Sequence, residues 1–376
     1  MGLWRQNFRA MNTDVEVFLP GERAGAKLEK AALSKYFITV ERGFAASEKR
    51  FSRFDPESEL SCLNASGENW VFVSASMLQV LMLAARATEQ TGGLFTPFVL
   101  DALIEAGYDR SFEQLASCNT LIAQGRDKSN IPVEHPASHT SGGFSQSSCF
   151  HAAPFLQESA KFPQLQCYPQ LGAVERTPGV GIDLSGIVKS WTVWQLSRWL
   201  QKQGFSRGLI NAGGDLYAWG RSGSSEASRW PSASEGVVMQ EKTIMTGGVS
   251  LHGSKGRLLW RVEVASPWER EQSLTRFLLT DGAVATSATT LRSWQGRDGR
   301  VCHHLIDPRT GRPSQSDVVQ CTVVAKNPVQ AEIAAKVVCI AGFKEGIDLL
   351  QQQQQEWSVA AVHVCLKDGR TLKIGG

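Results

Sequence analysis

His303-His304-Leu305-Ile306-Asp307-Pro308-Arg309-Thr310-Gly311 is the stretch on which the reading of this chain turns. Leu305 and Ile306 form an apolar pair that reads as the end of a buried strand. Asp307 stands before a proline and is pushed out of the helical region. Thr310-Gly311 then lets the chain reverse, because glycine accepts positive φ. The spacing predicts a stiff turn at a strand end that presents two imidazoles, a carboxylate, a guanidinium and a hydroxyl. Polar clusters on loops with rigid support are where function concentrates. Taken alone, the same residues also suit a charged surface hairpin.

Working outward from this turn, residues 319–326 read as a strand. A helix over 328–341 follows, with Pro328 in its first turn and Gly342 as its stop. Asp368-Gly369 is a hairpin signal between two further strands. Upstream, residues 258–266 and 273–287 are strand-rich. Residues 207–220 read as strand, glycine bend and strand, and the Gly213-Gly214 pair suggests a bulge or a close backbone approach. Residues 179–190 read as a strand delivering Asp183, a tight turn at Ser185-Gly186, and a helix running to about 203. Backbone N–H groups at such a helix start form a natural anion seat. Gly92-Gly93-Leu94-Phe95-Thr96-Pro97 is a glycine turn that aims a loop. From about 26 to 51, Leu33, Phe37, Val40, Phe44 and Phe51 lie on one stripe of a long amphipathic helix. Val15 to Leu19 alternates as a half-buried strand does.

Strands and helices thus mix without strict βαβ alternation, which predicts an α+β fold in a single domain over residues 1–376. Residues 109–178 differ. Ser, Gln, Pro, Gly and His dominate there, and the stretch reads as a polar, flexible insertion. Its His135, His139, Cys149 and His151 match no zinc-ligand spacing. The eight cysteines form no C-x-x-C pair and read as buried reduced thiols.

A hydrophobic fraction of 42% and a charged fraction of 20% describe a globular chain able to bury a sizeable core. A net charge of +3 argues against nucleic acid or a membrane surface as the partner. No apolar run approaches the ~18 residues of a membrane span. The N-terminus lacks a basic run followed by an apolar core, so a cytoplasmic location is expected.

In chain order, these pieces resemble the FAD:protein FMN transferases, the ApbE family. Ala10-Met11-Asn12-Thr13 resembles that family's A-M-G-T, and residues 51–64 resemble S-x-Y-D-P-x-S-E-[IL]-S-x-[LF]-N. Residues 92–97 resemble G-G-A-F-D-P, 182–190 resemble [IV]-D-L-G-G-I-A-K-G, and 211–215 resemble N-L-G-G-D. Residues 304–311 resemble H-I-I-D-P-R-T-G. The resemblance implies an ApbE-like, T-fold-related architecture of mixed sheets with packed helices. It implies transfer of FMN from FAD to a threonine or serine hydroxyl of an acceptor flavoprotein, with release of AMP and with Mg2+ as the metal. Met11, Phe54, Leu94, Phe95, Thr96, Asp183 and Lys189 then fall on FAD contacts, and Leu305 and Ile306 lie along the ligand. The Gly186 carbonyl and the side chains at Glu332 and Lys336 fall on the metal. His304 is the candidate general base. Arg309 is read as a brace for Asp307 within the turn, with phosphate binding as the alternative.

The match has departures. Asn12, Thr96, Ser190 and Trp194 replace a glycine, an aspartate, a glycine and an aspartate of the family pattern. Glu332 and Lys336 stand where the late helix has Asp and Thr, and an ammonium at a metal ligand position predicts weakened or altered magnesium dependence. Two alternative activities follow from these changes: a binder that holds FAD or FMN without transfer, and an FAD pyrophosphatase.

Overall fold

The computed structural model describes residues 3–115, 163–220, 249–254, 257–269, 271–296 and 299–375. The possible ligands His135, His139, Cys149 and His151 lie outside them, as does most of the polar insertion.

The fold is α+β. Eight strands form one sheet whose spatial order is also the chain order: Leu3–Ala10, Thr13–Pro20, Arg207–Ala212, Asp215–Gly220, Gly282–Ala288, Val318–Ala325, Val359–Leu366 and Thr371–Gly375. Every neighbouring pair in it is antiparallel. The sheets expected to be mixed are therefore antiparallel throughout this layer. Each strand meets the next in sequence, so helices and loops enter as excursions between consecutive strands.

Both faces of the sheet are covered. On one, Val15, Val17 and Leu19 join Val323 and Ala325 in a core shared with the helices Lys30–Phe51, Val188–Lys202 and Pro328–Ala341. The expected stripe of Leu33, Phe37, Val40, Phe44 and Phe51 is buried there, with Tyr36 beside it. Each large apolar side chain so buried contributes about 1.5–3 kcal/mol. On the other face, Phe18, Leu216 and Val324 pack on Trp260, Val262 and Phe277 of a three-stranded sheet. Double coverage explains why all eight residues of Val318–Ala325 are buried and why that strand reads as a nearly continuous apolar run.

Two tight hairpins lie side by side where the second and third strands of the sheet pair. Met11 and Asn12, at φ 53° and 55°, join the first two strands. Both positions of such a two-residue turn need positive φ, which asparagine tolerates well and methionine poorly. Gly213 and Gly214, at φ 61° and 96°, make the equivalent turn between the third and fourth strands. A Cβ on Gly213 would lie 1.9 Å from Thr13 Oγ1, so the glycine is required by close approach as well as by φ.

Two expectations are corrected. The polar insertion does not extend to residue 178, because Leu165–Tyr168 and Ala173–Arg176 form a three-stranded sheet with Trp70–Phe72. Val174 is fully buried, and the Arg176 guanidinium donates to the Val180 and Ser66 carbonyls at 2.8 and 2.9 Å. Cys62 is exposed rather than buried, whereas Cys321, Cys339 and Cys365 are buried thiols. Among the described residues no helix is long and apolar enough to cross a membrane.

The core also holds an unpartnered imidazole. His363 is 1% exposed, and neither ring nitrogen has a hydrogen-bond partner. Burial, assisted by Lys373, pushes it down to about 4 from an ordinary 6.5. The unfolded chain therefore takes up this proton first as pH falls. Stability is lost from the unfolded value downward, by about 3 kcal/mol once pH is below the folded value, at ~1.4 kcal/mol per unit. His363→Leu should remove most of that loss. Urea unfolding of both proteins at about pH 7 and about pH 4 checks it, and an equal acid loss in the variant contradicts it.

Candidate active site

The segment carrying Asp183 was expected to be a strand and is not one. Residues 181–184 run extended outside any ladder. A side chain does the work of a neighbouring strand: Asn64 Nδ2 donates to the Ile182 carbonyl at 2.8 Å, and Asn64 Oδ1 accepts from Ile182 N at 2.9 Å. Asp183 N donates to the Pro97 carbonyl at 2.8 Å, tying this segment to the 92–97 loop.

Asp183 is buried, so its charge must be met locally. Oδ1 accepts from Ser185 N at 2.8 Å and from Ser185 Oγ at 2.5 Å, which shapes the turn into the Val188–Lys202 helix. Oδ2 lies 2.8 Å from Arg53 Nε. Arg53 is itself sandwiched, with its guanidinium 4.1 Å from the Phe54 ring centre and 4.5 Å from that of Tyr108. Its Nη2 donates to the Tyr108 carbonyl at 2.8 Å.

Two further pairs repeat the pattern. Lys189 lies in the first turn of its helix, where the macrodipole disfavours a cation. Asp215 compensates, with Oδ2 2.5 Å from Lys189 Nζ while Oδ1 accepts from Thr286 N at 3.2 Å. Glu332 and Lys336 are the charged residues of the otherwise uncharged Pro328–Ala341 helix, and Lys336 Nζ lies 2.7 Å from Glu332 Oε1. Glu332 Oε2 is buried without a partner.

Asp183, Lys189, Asp215, Glu332 and Lys336 line one cavity of about 270 Å³. Of the residues singled out from sequence, Leu94, Phe95, Thr96, Asp183, Gly186, Lys189, His304, Leu305, Ile306, Glu332 and Lys336 are on its wall. Met11 and Phe54 are not. Met11 occupies the hairpin and packs on the core, and Phe54 is taken up by Arg53 and a 5.8 Å contact with Tyr108. Sequence reading gave no role to Arg292, Thr286 or Asp215, which also line the cavity. Asp215 closes the N-A-G-G-D stretch and was within reach of motif reading. Arg292 lies in no motif, and no signal marks it. Among the described residues no carboxylate pairs with the Arg292 guanidinium.

The two histidines of the opening stretch part ways. His303 points into the turn, where Nε2 lies 3.0 Å from the Ser314 carbonyl. His304 lines the cavity. Burial first, then Arg292, Lys336 and His303, hold its pKa well below the ordinary 6.5. A backbone hydrogen bond to Arg292 opposes this only in part, and Nδ1 is left without a partner. At neutral pH the ring is uncharged with a nitrogen lone pair available, the state a general base needs. Arg309 braces Asp307 as expected, at 2.9 Å, and also bonds Glu345.

The magnesium seat implied by the family resemblance does not fit these residues. Lys336 reaches the Gly186 corner, where a Cβ would meet its Cε at 3.2 Å. Magnesium takes oxygen ligands. An ammonium about 4 Å from a dication opposes it by roughly 8 kcal/mol at an effective dielectric of about 20. Among the described residues no group of three or more His, Cys, Asp or Glu is arranged to hold a metal.

Known proteins were compared with this chain. A model of the ApbE family matches residues 11–361. An FAD:protein FMN transferase of Escherichia coli K12 is 24% identical over 196 residues, covering 52% of this chain and 45% of that protein. The match thus spans under half the relative's length. A protein of the same name from Treponema pallidum is 23% identical over 335 residues, covering 86% of this chain and 74% of the relative. Among solved structures, an ApbE protein from Thermotoga maritima superposes with a TM-score of 0.68 at 18% identity, covering 99% of this chain and 97% of that one. The flavin transferase ApbE from Vibrio cholerae gives 0.62 at 18%, covering 100% and 97%. At such identities the structures establish the shared fold.

Arg53 should be a positioning residue for Asp183. Arg53→Ala leaves a buried carboxylate unpaired and is expected to cost about 3–5 kcal/mol. Arg53→Lys should rescue little, because an ammonium can neither stack between two rings nor span both acceptors. Thermal unfolding reads both, and a loss under about 1 kcal/mol in Arg53→Ala would contradict the assignment.

Proposed function

This chain belongs to the ApbE family, and from that premise we propose that it is an FAD:protein FMN transferase. In the proposed reaction a threonine or serine hydroxyl oxygen of an acceptor protein bonds to the FMN-side phosphorus of FAD. The bond from that phosphorus to the bridging oxygen breaks, and AMP leaves with that oxygen. The hydroxyl proton passes to a base. Such a transfer depends mainly on positioning and on neutralising charge at the phosphoryl oxygens.

One observation carries this reading. A neutral imidazole with an unpartnered nitrogen, His304, shares one cavity wall with Lys336 and with an Arg292 that has no carboxylate partner among the described residues. On this reading His304 accepts the hydroxyl proton, and Arg292 and Lys336 face the diphosphate. Leu94, Phe95, Leu305 and Ile306 supply apolar surface to the ligand's ring systems. Asp183 and Lys189 set the helix start at the nucleotide. No step is routed through magnesium.

The Lys336–Glu332 pair favours a second reading, in which the chain binds FAD and does not transfer. Incubation with FAD and candidate acceptors decides among the possibilities. AMP together with FMN that stays with denatured acceptor is expected. Free FMN with AMP would indicate hydrolysis, and no AMP would indicate a binder.

His304→Ala should lower transfer about 10²–10⁴-fold while FAD affinity changes by no more than a few fold. Equal loss of both would make His304 a ligand contact. Because its pKa is held well below 6.5, the wild-type transfer rate should stay level as pH falls through that value. A rate that halves near about pH 6.5 contradicts its role as an already neutral base.

A further inference from the structure

We propose that Lys336, together with Arg292, supplies the positive charge that a divalent cation would otherwise bring to the FAD diphosphate, so that this chain binds its dinucleotide without metal. The proposal rests on the flavin reading above and concerns how that site is built.

Three observations support it. First, the wall's carboxylates are already neutralised one by one: Asp183 by Arg53, Asp215 by Lys189 and Glu332 by Lys336. Arg292 is left over among the described residues, and burial keeps His304 uncharged. The cavity therefore carries a surplus of positive charge, which suits an anion and opposes a dication. Second, the Lys336 stem lies against the Gly186 corner, so the volume beside that backbone is filled. Third, an ammonium has three donors, and Glu332 Oε1 takes one at 2.7 Å. The remaining two can meet phosphate oxygens. The side chain is only 14% exposed, so water screens those contacts weakly. Glu332 Oε2, buried and without a partner, is left to accept a hydroxyl of the ligand.

Flavin fluorescence titration with FAD, once in EDTA and once in magnesium, tests this on the full chain. Wild type should bind FAD with the same affinity in both buffers, within about twofold. Lys336→Met, which keeps the aliphatic stem, should lose at least about tenfold in EDTA, the loss of a charge-assisted hydrogen bond. Lys336→Arg should retain affinity within a few fold. Manganese titration followed by electron paramagnetic resonance should find no site in wild-type protein. FAD binding that requires magnesium, a manganese site in wild type, or unchanged FAD affinity in Lys336→Met would each overturn the proposal while leaving the flavin reading intact. Failure to bind FAD in either buffer would defeat the flavin reading itself and this proposal with it. The wild-type titrations decide the matter even where a variant does not fold.

Discussion

A carboxylate buried beside a cavity must carry its own cation, and three such pairs organise this structure. Asp183 with Arg53, Asp215 with Lys189 and Glu332 with Lys336 each join elements or turns that the chain order keeps apart or that a helix face holds in register. Breaking one partner leaves an uncompensated buried charge, a penalty of about 3–5 kcal/mol. The first two pairs therefore tie the 182–190 turn to Arg53 and to the 213–215 hairpin, while the third sets the charge on the late helix's cavity face. They also fix the character of the cavity, since no wall carboxylate is left with its full charge free.

The fold supplies the platform. A sheet whose strands follow chain order lets each excursion return beside its point of departure. The tight hairpins at Met11-Asn12 and Gly213-Gly214 place Thr13 and Asp215 within one small region. Helices cover one face and a second sheet the other, so the cavity opens onto rigid neighbours. His304 reaches it because Asp307 and Arg309 close a braced turn behind Leu305 and Ile306. On the proposed reading, the base and the cations are held before any ligand arrives, which is how electrostatic preorganisation lowers a barrier.

Much of this was legible in the sequence where the signal is local. The Leu33-to-Phe51 stripe, the proline-started and glycine-stopped late helix and the Asp-Pro turn all follow from neighbours a few residues apart. The motif residues around 94, 183, 186, 189, 304 and 336 converge on one cavity. The failures are non-local. Ile182 looked like a strand residue because nothing in sequence reveals that the Asn64 amide, 118 positions away, would serve as its ladder partner. Arg53 had no assigned role because its partner is 130 residues distant, and Phe54 was assigned to ligand although its ring is engaged by that arginine. Polar composition drew the insertion too long. Arg176 and Val174 anchor its far end to the body, and only tertiary contacts reveal that.

The central claim is that FAD lies in this cavity with its diphosphate against Lys336 and Arg292. A structure of the chain with FAD, obtained without divalent ions, tests it most directly. The account predicts phosphate oxygens within about 3 Å of Lys336 Nζ, beside Gly186. FAD bound elsewhere, or a diphosphate in the cavity facing away from both cations, would contradict it.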